Sequence, residues 1–334
     1  MAERLIVLVS ERPRSREAKQ ALALRSKGWG TIILYLHKPN YELSKYFDEA
    51  IQYQDPIQAL MLAKDFSPVA YHVHSLMSAD ATALAFMKYK PGKIVYDLND
   101  SVDAMHTEAY INSNPEFQER RSRELHYLQN ADGLCCRDLQ VQHTCHKHNI
   151  KRDKDLLYFP EYCMEREVKK QSITGQNKDD IHLAVSGNFG VEKMGEEDGY
   201  LRILELLIKQ EVHTHFYPHW FNYNISSVLY DNKYSDYITL ARQSPFVHMH
   251  HSVPMDNVVN ELQRYDCGIH TPHHWVFPRD TGIYNVNGLA VCGSSRVYDF
   301  LDAGIPGIMI KNSYTQKLLT RYKVGINGTL NFFV

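Results

Sequence analysis

Short apolar runs alternate with longer polar, helix-like stretches along this chain, and they do so in two separate blocks. That rhythm suits parallel strands joined by crossover helices, where each strand is buried on both faces and each helix on one. In the first block, strands are expected at residues 5–9, 31–36, 69–73, 93–97 and 133–136, and helices at 15–27, 79–88 and 114–130. Ala18, Ala21 and Leu22 give the first helix an apolar stripe, and Gly28 ends it. The second block repeats the pattern, with strands at 181–185, 212–216, 247–250, 267–269 and 307–310 and helices at 199–209, 256–263 and 297–303. Between the blocks, residues 165–180 turn to Lys, Gln, Ser, Thr and Asn without apolar periodicity. A chain of 334 residues also exceeds what one hydrophobic core usually holds. The expectation is an α/β protein of two Rossmann-like doubly wound domains, residues 1–165 and 181–334, joined by a linker at 166–180.

Charge and composition remove several function classes. A net charge of -2 argues against a nucleic-acid partner, which would need a basic stripe to neutralise phosphates. The chain opens on the strand-like run Leu5 to Val9, without the basic flank and cleavage site of a secretory leader, and no window approaches the roughly 18 apolar residues of a membrane span. A cytoplasmic location follows as the expectation, with peripheral contact at the inner membrane face left open. Six cysteines without regular spacing read as reduced thiols rather than a disulfide framework. The residues after the first strand, Ser10-Glu11-Arg12-Pro13-Arg14, are not a dinucleotide-binding glycine fingerprint, and neither a phosphate-loop motif nor a Gly-x-Ser-x-Gly elbow occurs.

The most informative stretch runs Gly293-Ser294-Ser295-Arg296-Val297-Tyr298-Asp299-Phe300-Leu301-Asp302-Ala303-Gly304-Ile305-Pro306. Two serines and an arginine at a helix start favour a bound anion, through unpaired N–H groups, the helix dipole and a guanidinium. Asp299 follows Arg296 by three residues and shares its face, so an arginine for a diphosphate and a carboxylate for ribose hydroxyls make a sensible pair. On physics alone, a capped surface helix with an internal Arg–Asp pair explains the residues equally well.

This stretch resembles the donor-site segment of the large retaining family of GT-B glycosyltransferases (group 1 type) that builds polysaccharides and glycolipids. Arg296, Leu301, Ala303, Gly304 and Pro306 match its pattern, and Asp299 stands in for the usual glutamate. Further segments resemble the family in order, from about residue 3 to residue 326: Arg12-Pro13-Arg14 and the following helix, His72-Val73-His74, Tyr96-Asp97-Leu98-Asn99-Asp100, Gly187-Asn188-Phe189-Gly190-Val191-Glu192-Lys193, and Asp266-Cys267-Gly268. The resemblance implies two Rossmann-like domains facing across a cleft, and transfer of a sugar from a nucleoside diphosphate sugar to a hydroxyl on a glycan, lipid-linked or protein acceptor. The nucleotide sugar is then a co-substrate, and no cofactor is implied. Donor binding falls to Gly187, Asn188, Lys193, His273, Ser294, Ser295, Arg296, Val297 and Asp299. Catalysis falls to Arg296 on the leaving diphosphate and to Asn99 and Asp100 on the acceptor side, with retention of configuration; Asp100 is the base if the outcome is inversion.

Departures from the family point to a second reading, a catalytically inactive sugar-nucleotide or glycan-binding protein on the same fold. The acid that many members carry before the donor helix is replaced by Ala290, Val291 and Cys292; Asn188 stands where an arginine is usual, and Asn99 where several members have histidine. Family members also continue through further helices, the last crossing back to the first domain, so the second domain is expected to lack that helix. The 18 histidines cluster at His248, His250 and His251 and at His270, His273 and His274. With no His-Glu-x-x-His motif and no carboxylate or cysteine at short spacing, they read as the lining of a polar cleft, and no metal is expected.

Overall fold

The apolar runs become parallel strands, and each block closes into its own sheet. The computed structural model describes residues 4–152, 155–160, 162–164, 168–169, 179–187, 189, 200–218, 234–270, 291–310 and 313–328. The chain divides into two compact units, Met1–Tyr162 with Asn285–Cys292, and Cys163–Tyr284 with Gly293–Val334. Most of the expected linker at 166–180 lies outside the described residues. The Val291 carbonyl accepts the Leu139 N–H of the first unit at 3.1 Å.

The first unit holds seven strands: β1 (Leu5–Ser10), β2 (Gly30–Tyr35), β3 (Glu49–Gln52), β4 (Ala70–Leu76), β5 (Ile94–Asn99), β6 (Gly133–Cys136) and β7 (Leu156–Tyr158). Their order is β3-β2-β1-β4-β5-β6-β7, every neighbour parallel. On one face Val7, Val9, Val73, Tyr96, Leu98 and Leu134 pack with Ala59, Ala63, Phe86, Met87, Tyr127 and Leu128 from the helices. The alternate residues face the other way, where the Ser15–Arg25 helix buries Arg16 and Gln20. That helix stops two residues short of the expected end; Gly28, at φ +77, turns the chain so that Trp29 N–H reaches the Leu24 carbonyl at 3.2 Å.

The second unit holds β8 (His182–Gly187), β9 (His213–Pro218), β10 (Val247–Met249), β11 (Cys267–His270), β12 (Gly307–Ile310) and β13 (Gly325–Gly328) in the order β10-β9-β8-β11-β12-β13, again all parallel. Leu183, Val185, Phe216 and Val247 pack with Ile203, Leu204 and Leu207 of the Tyr200–Lys209 helix. Both sheets begin in the middle, wind to one edge and then jump back. The jump falls between β1 and β4 in the first unit and between β8 and β11 in the second. Ligands of doubly wound sheets bind outside the carboxyl ends of the strands at that switch point.

Candidate donor and acceptor sites

Gly187 ends β8 and His270 ends β11, the two strands flanking the switch point of the second sheet. Arg296, in the first turn of the Ser295–Asp302 helix, lays its guanidinium against both. Nη1 is 3.1 Å from His270 Nδ1. Gly187 has φ +93, and a Cβ there would come to 2.5 Å of Arg296 Nε, so this position admits glycine both for its backbone and for its neighbour.

The contact also fixes a tautomer. An arginine only donates, so His270 Nδ1 accepts and the ring proton sits on Nε2. Tyr200 Oη lies 3.4 Å from the same Nδ1. Burial, and then Arg296, push the His270 pKa well below its ordinary value, so the ring is neutral. Burial also lowers the Arg296 pKa, against the raising influence of Tyr200, Asp299 and Tyr234. A guanidinium starts so far above neutrality that it keeps its charge. The site thus presents one buried positive charge at the start of a helix.

Ser294 is the N-cap of that helix, in extended conformation and with no capping bond from its side chain. Its own N–H donates to Thr315 Oγ1 at 3.3 Å. Ser295 and Asp299 are half-buried. The Val297 side chain turns into the core with Met309 and Leu319, so only its backbone can reach a ligand. Asn188, Lys193 and His273 lie outside the described residues. Tyr200 has no signal in the sequence beyond an apolar helix position.

In the first unit Asn99 and Asp100 stand at the carboxyl end of β5. Asp100 has φ 60, and Met77 and Ser78, just beyond β4, have φ 47 and 51. Left-handed backbone at non-glycine residues carries a cost of order 1 kcal/mol each, and such residues gather at ligand-binding loops. Met77 N–H ties these loops together by donating to the Asn99 and Asp100 carbonyls at 3.0 and 3.1 Å. The Asp100 side chain is engaged: Oδ1 accepts from Arg137 Nη2 at 2.8 Å and from Gln140 Nε2 at 3.4 Å. Nothing in the sequence marks Arg137, a cation with no motif around it.

His72 and His74 are not at a strand end but under the Ser15–Arg25 helix, with Asp97. The Asp97 carboxylate takes Arg16 Nε at 3.2 and 3.1 Å on its two oxygens and Gln20 Nε2 at 2.6 Å. Burial alone would raise this carboxyl; Arg16, His74 and His72 hold it well below the usual range. The group ties helix to sheet. Cys135, Cys136, Cys145 and Cys292 are buried, and Cys163 is exposed.

The backbone is similar to a protein of Listeria monocytogenes described as a UDP-N-acetylglucosamine 2-epimerase, with a TM-score of 0.51 at 11% identity over 92% of this chain and 79% of that one. A mutant O-GlcNAc transferase of Thermobaculum terrenum gives a TM-score of 0.53 at 10% identity over 99% of this chain and 59% of that chain. The glycotransferase of kitacinnamycin gives 0.51 at 11% identity over 96% of this chain and 85% of that chain. The fold is GT-B. No family model matches the chain, and no curated protein does. At such identity the likeness speaks for the GT-B fold alone, and function has to be argued from the sites. Among the described residues, no helix is long and apolar enough to cross a membrane.

Proposed function

We propose that this GT-B protein transfers a sugar from a nucleoside diphosphate sugar to a hydroxyl acceptor, with retention and with Arg296 in place of a metal at the leaving diphosphate. The observation that carries the reading is the position of Arg296: a buried guanidinium at a helix start, set against Gly187 and His270 where the strands of the second sheet part. In glycosyl transfer the sugar passes through an oxocarbenium-like state while negative charge grows on the departing diphosphate. This reading assigns that charge to Arg296 and the Ser295 N–H, the Ser294 N–H being taken by Thr315 Oγ1, and the ribose hydroxyls to Asp299. The acceptor hydroxyl gives its proton to the departing phosphate oxygen as its own oxygen bonds the anomeric carbon. Acceptor binding is assigned to the strand-end loops of the first unit around Asn99 and Asp100. The guanidinium on Asp100 suits a positioning carboxylate better than a base, which favours retention over inversion.

A panel of nucleoside diphosphate sugars, each incubated with the purified chain and a mixture of simple glycoside acceptors, tests this by nucleotide release. Release of nucleoside diphosphate with one donor, and a product of unchanged anomeric configuration, is the expected result. Tight nucleotide binding with no release under any acceptor would instead make the chain a sugar-nucleotide-binding protein.

A further inference from the structure

The histidines of the second sheet gather where their sequence positions give no sign of it. His182 opens β8 and His213 opens β9, paired in register, and His215 on β9 pairs with His248 on β10. The two-residue period of a strand puts these four and His250 on one face, across three neighbouring strands. The rings stack, with centroids 4.5 Å apart for His182 and His213, 4.3 Å for His215 and His248, and 5.1 Å for His215 and His250. Their nitrogens pair as well: His182 Nδ1 is 3.0 Å from His215 Nε2, His213 Nδ1 is 2.9 Å from His248 Nε2, and His215 Nδ1 is 2.9 Å from His250 Nε2.

In each pair a δ nitrogen meets an ε nitrogen. Protons on Nδ1 of His182, His213 and His215 satisfy all three contacts and leave lone pairs on Nε2 of His182 and His213. His182 Nε2 is buried and has no hydrogen-bond partner, a costly state for a polar atom. His213 Nε2 stands 3.8 Å from Asp180 Oδ2, too far for a hydrogen bond. Asp180, His182 and His213 each bring one ligand atom within 4.8 Å of the other two.

We infer that Asp180, His182 and His213 bind a divalent transition-metal ion of the zinc class, with His215 and His248 as hydrogen-bonded supports behind the two ligating rings. A metal-bound imidazole commonly donates its other N–H to such a support, which fixes its orientation. Zinc takes nitrogen and carboxylate ligands at about 2.0–2.2 Å, so small side-chain rotations close the triad around the ion. The His213 and Asp180 side chains are 14% and 36% exposed, so an ion reaches the triad from solvent. The other group of this kind among the described residues, His72, His74 and Asp97, has Arg16 and Gln20 on its carboxylate and ties helix to sheet. The triad sits at the amino ends of β8 and β9, and Arg296 at the carboxyl ends, so the ion is a staple between Asp180 and two strands and takes no part at the donor site.

The test is calorimetric titration of chelator-treated, full-length chain with zinc, and with cobalt(II) read by its visible absorption. One ion per chain is expected, with a cobalt band in the range of a mixed nitrogen and oxygen shell. Asp180→Asn and His213→Gln should each weaken zinc binding at least 10-fold, and His248→Phe should weaken it less than either. Arg296→Ala should leave zinc affinity unchanged, which separates this inference from the proposed transferase activity. Absence of zinc binding to the wild-type chain overturns the inference, as does equal affinity in wild type and the Asp180→Asn, His213→Gln double variant. Should the variants misfold, absence of a cobalt band in the wild-type chain alone decides against it.

Discussion

Glu124 is fully buried, sharing a 2.6 Å hydrogen bond with Ser101 Oγ at Oε1 and accepting the Val102 N–H at 3.0 Å at Oε2. Burial pushes its pKa up from 4.5 to about 8, against the lowering effect of those hydrogen bonds. The folded chain therefore holds a proton there at neutral pH that the unfolded chain has released. Its favourable contribution is complete below about pH 4.5 and is lost as pH rises through about 8. Glu124→Gln keeps both hydrogen bonds without the proton. Denaturant unfolding at several pH values should show the variant gaining on the wild type from about pH 5 to 8, then holding level. Parallel curves for the two proteins would contradict the assignment. Nothing in the sequence marks Glu124: it stands in a helix rich in exposed charges, and its burial depends on Ser101 and Thr144, which are distant along the chain. Arg137 on Asp100 was hidden for the same reason. Arg296 stands out in the sequence because the two serines and Asp299 are its neighbours there.

Elements were read from apolar runs, so those that lack such runs escaped. β3 is Glu-Ala-Ile-Gln and mostly exposed, and the Pro56–Lys64 helix declares itself only through Asp55, whose side chain caps Ile57 and Gln58 N–H at 2.8 and 2.9 Å. The Ser235–Gln243 and Ser313–Tyr322 helices and the glycine-flanked β13 were missed likewise. The glycine of Asp266-Cys267-Gly268 has a packing role that its sequence does not spell out. A Cβ on Gly268 of β11 would lie 2.3 Å from Phe300 Cγ, on the Ser295–Asp302 helix that carries Arg296. Glycine there lets helix and strand approach, and the approach sets where the guanidinium sits. Gly268→Ala should push that helix outward, at a cost of roughly 1–3 kcal/mol in stability, and lower nucleotide affinity by about 10-fold if Arg296 moves by an ångström. Thermal unfolding and nucleotide titration both measure this; wild-type values in both would mean that Phe300 yields and the packing does not position the site.

For the whole molecule, one rhythm run through twice is enough to foresee two doubly wound sheets, because a parallel sheet needs both faces covered and so imposes its alternation on the sequence. The array from His182 to His250 is not legible in the sequence, because its members lie on or just past three strands and meet only through sheet register. The central claim is that Arg296 at the switch point of the second sheet is an anion site for a nucleoside diphosphate. Titration of a nucleoside diphosphate into wild type, Arg296→Ala and Arg296→Lys, in excess chelator, tests it most directly. The account predicts binding that persists in chelator, falls about 10- to 100-fold in the alanine variant, as loss of a charged hydrogen bond demands, and recovers only in part with lysine, which keeps the charge and loses the planar fork. Equal affinity in all three folded proteins, or binding that vanishes with chelator and returns with a divalent ion, would contradict it.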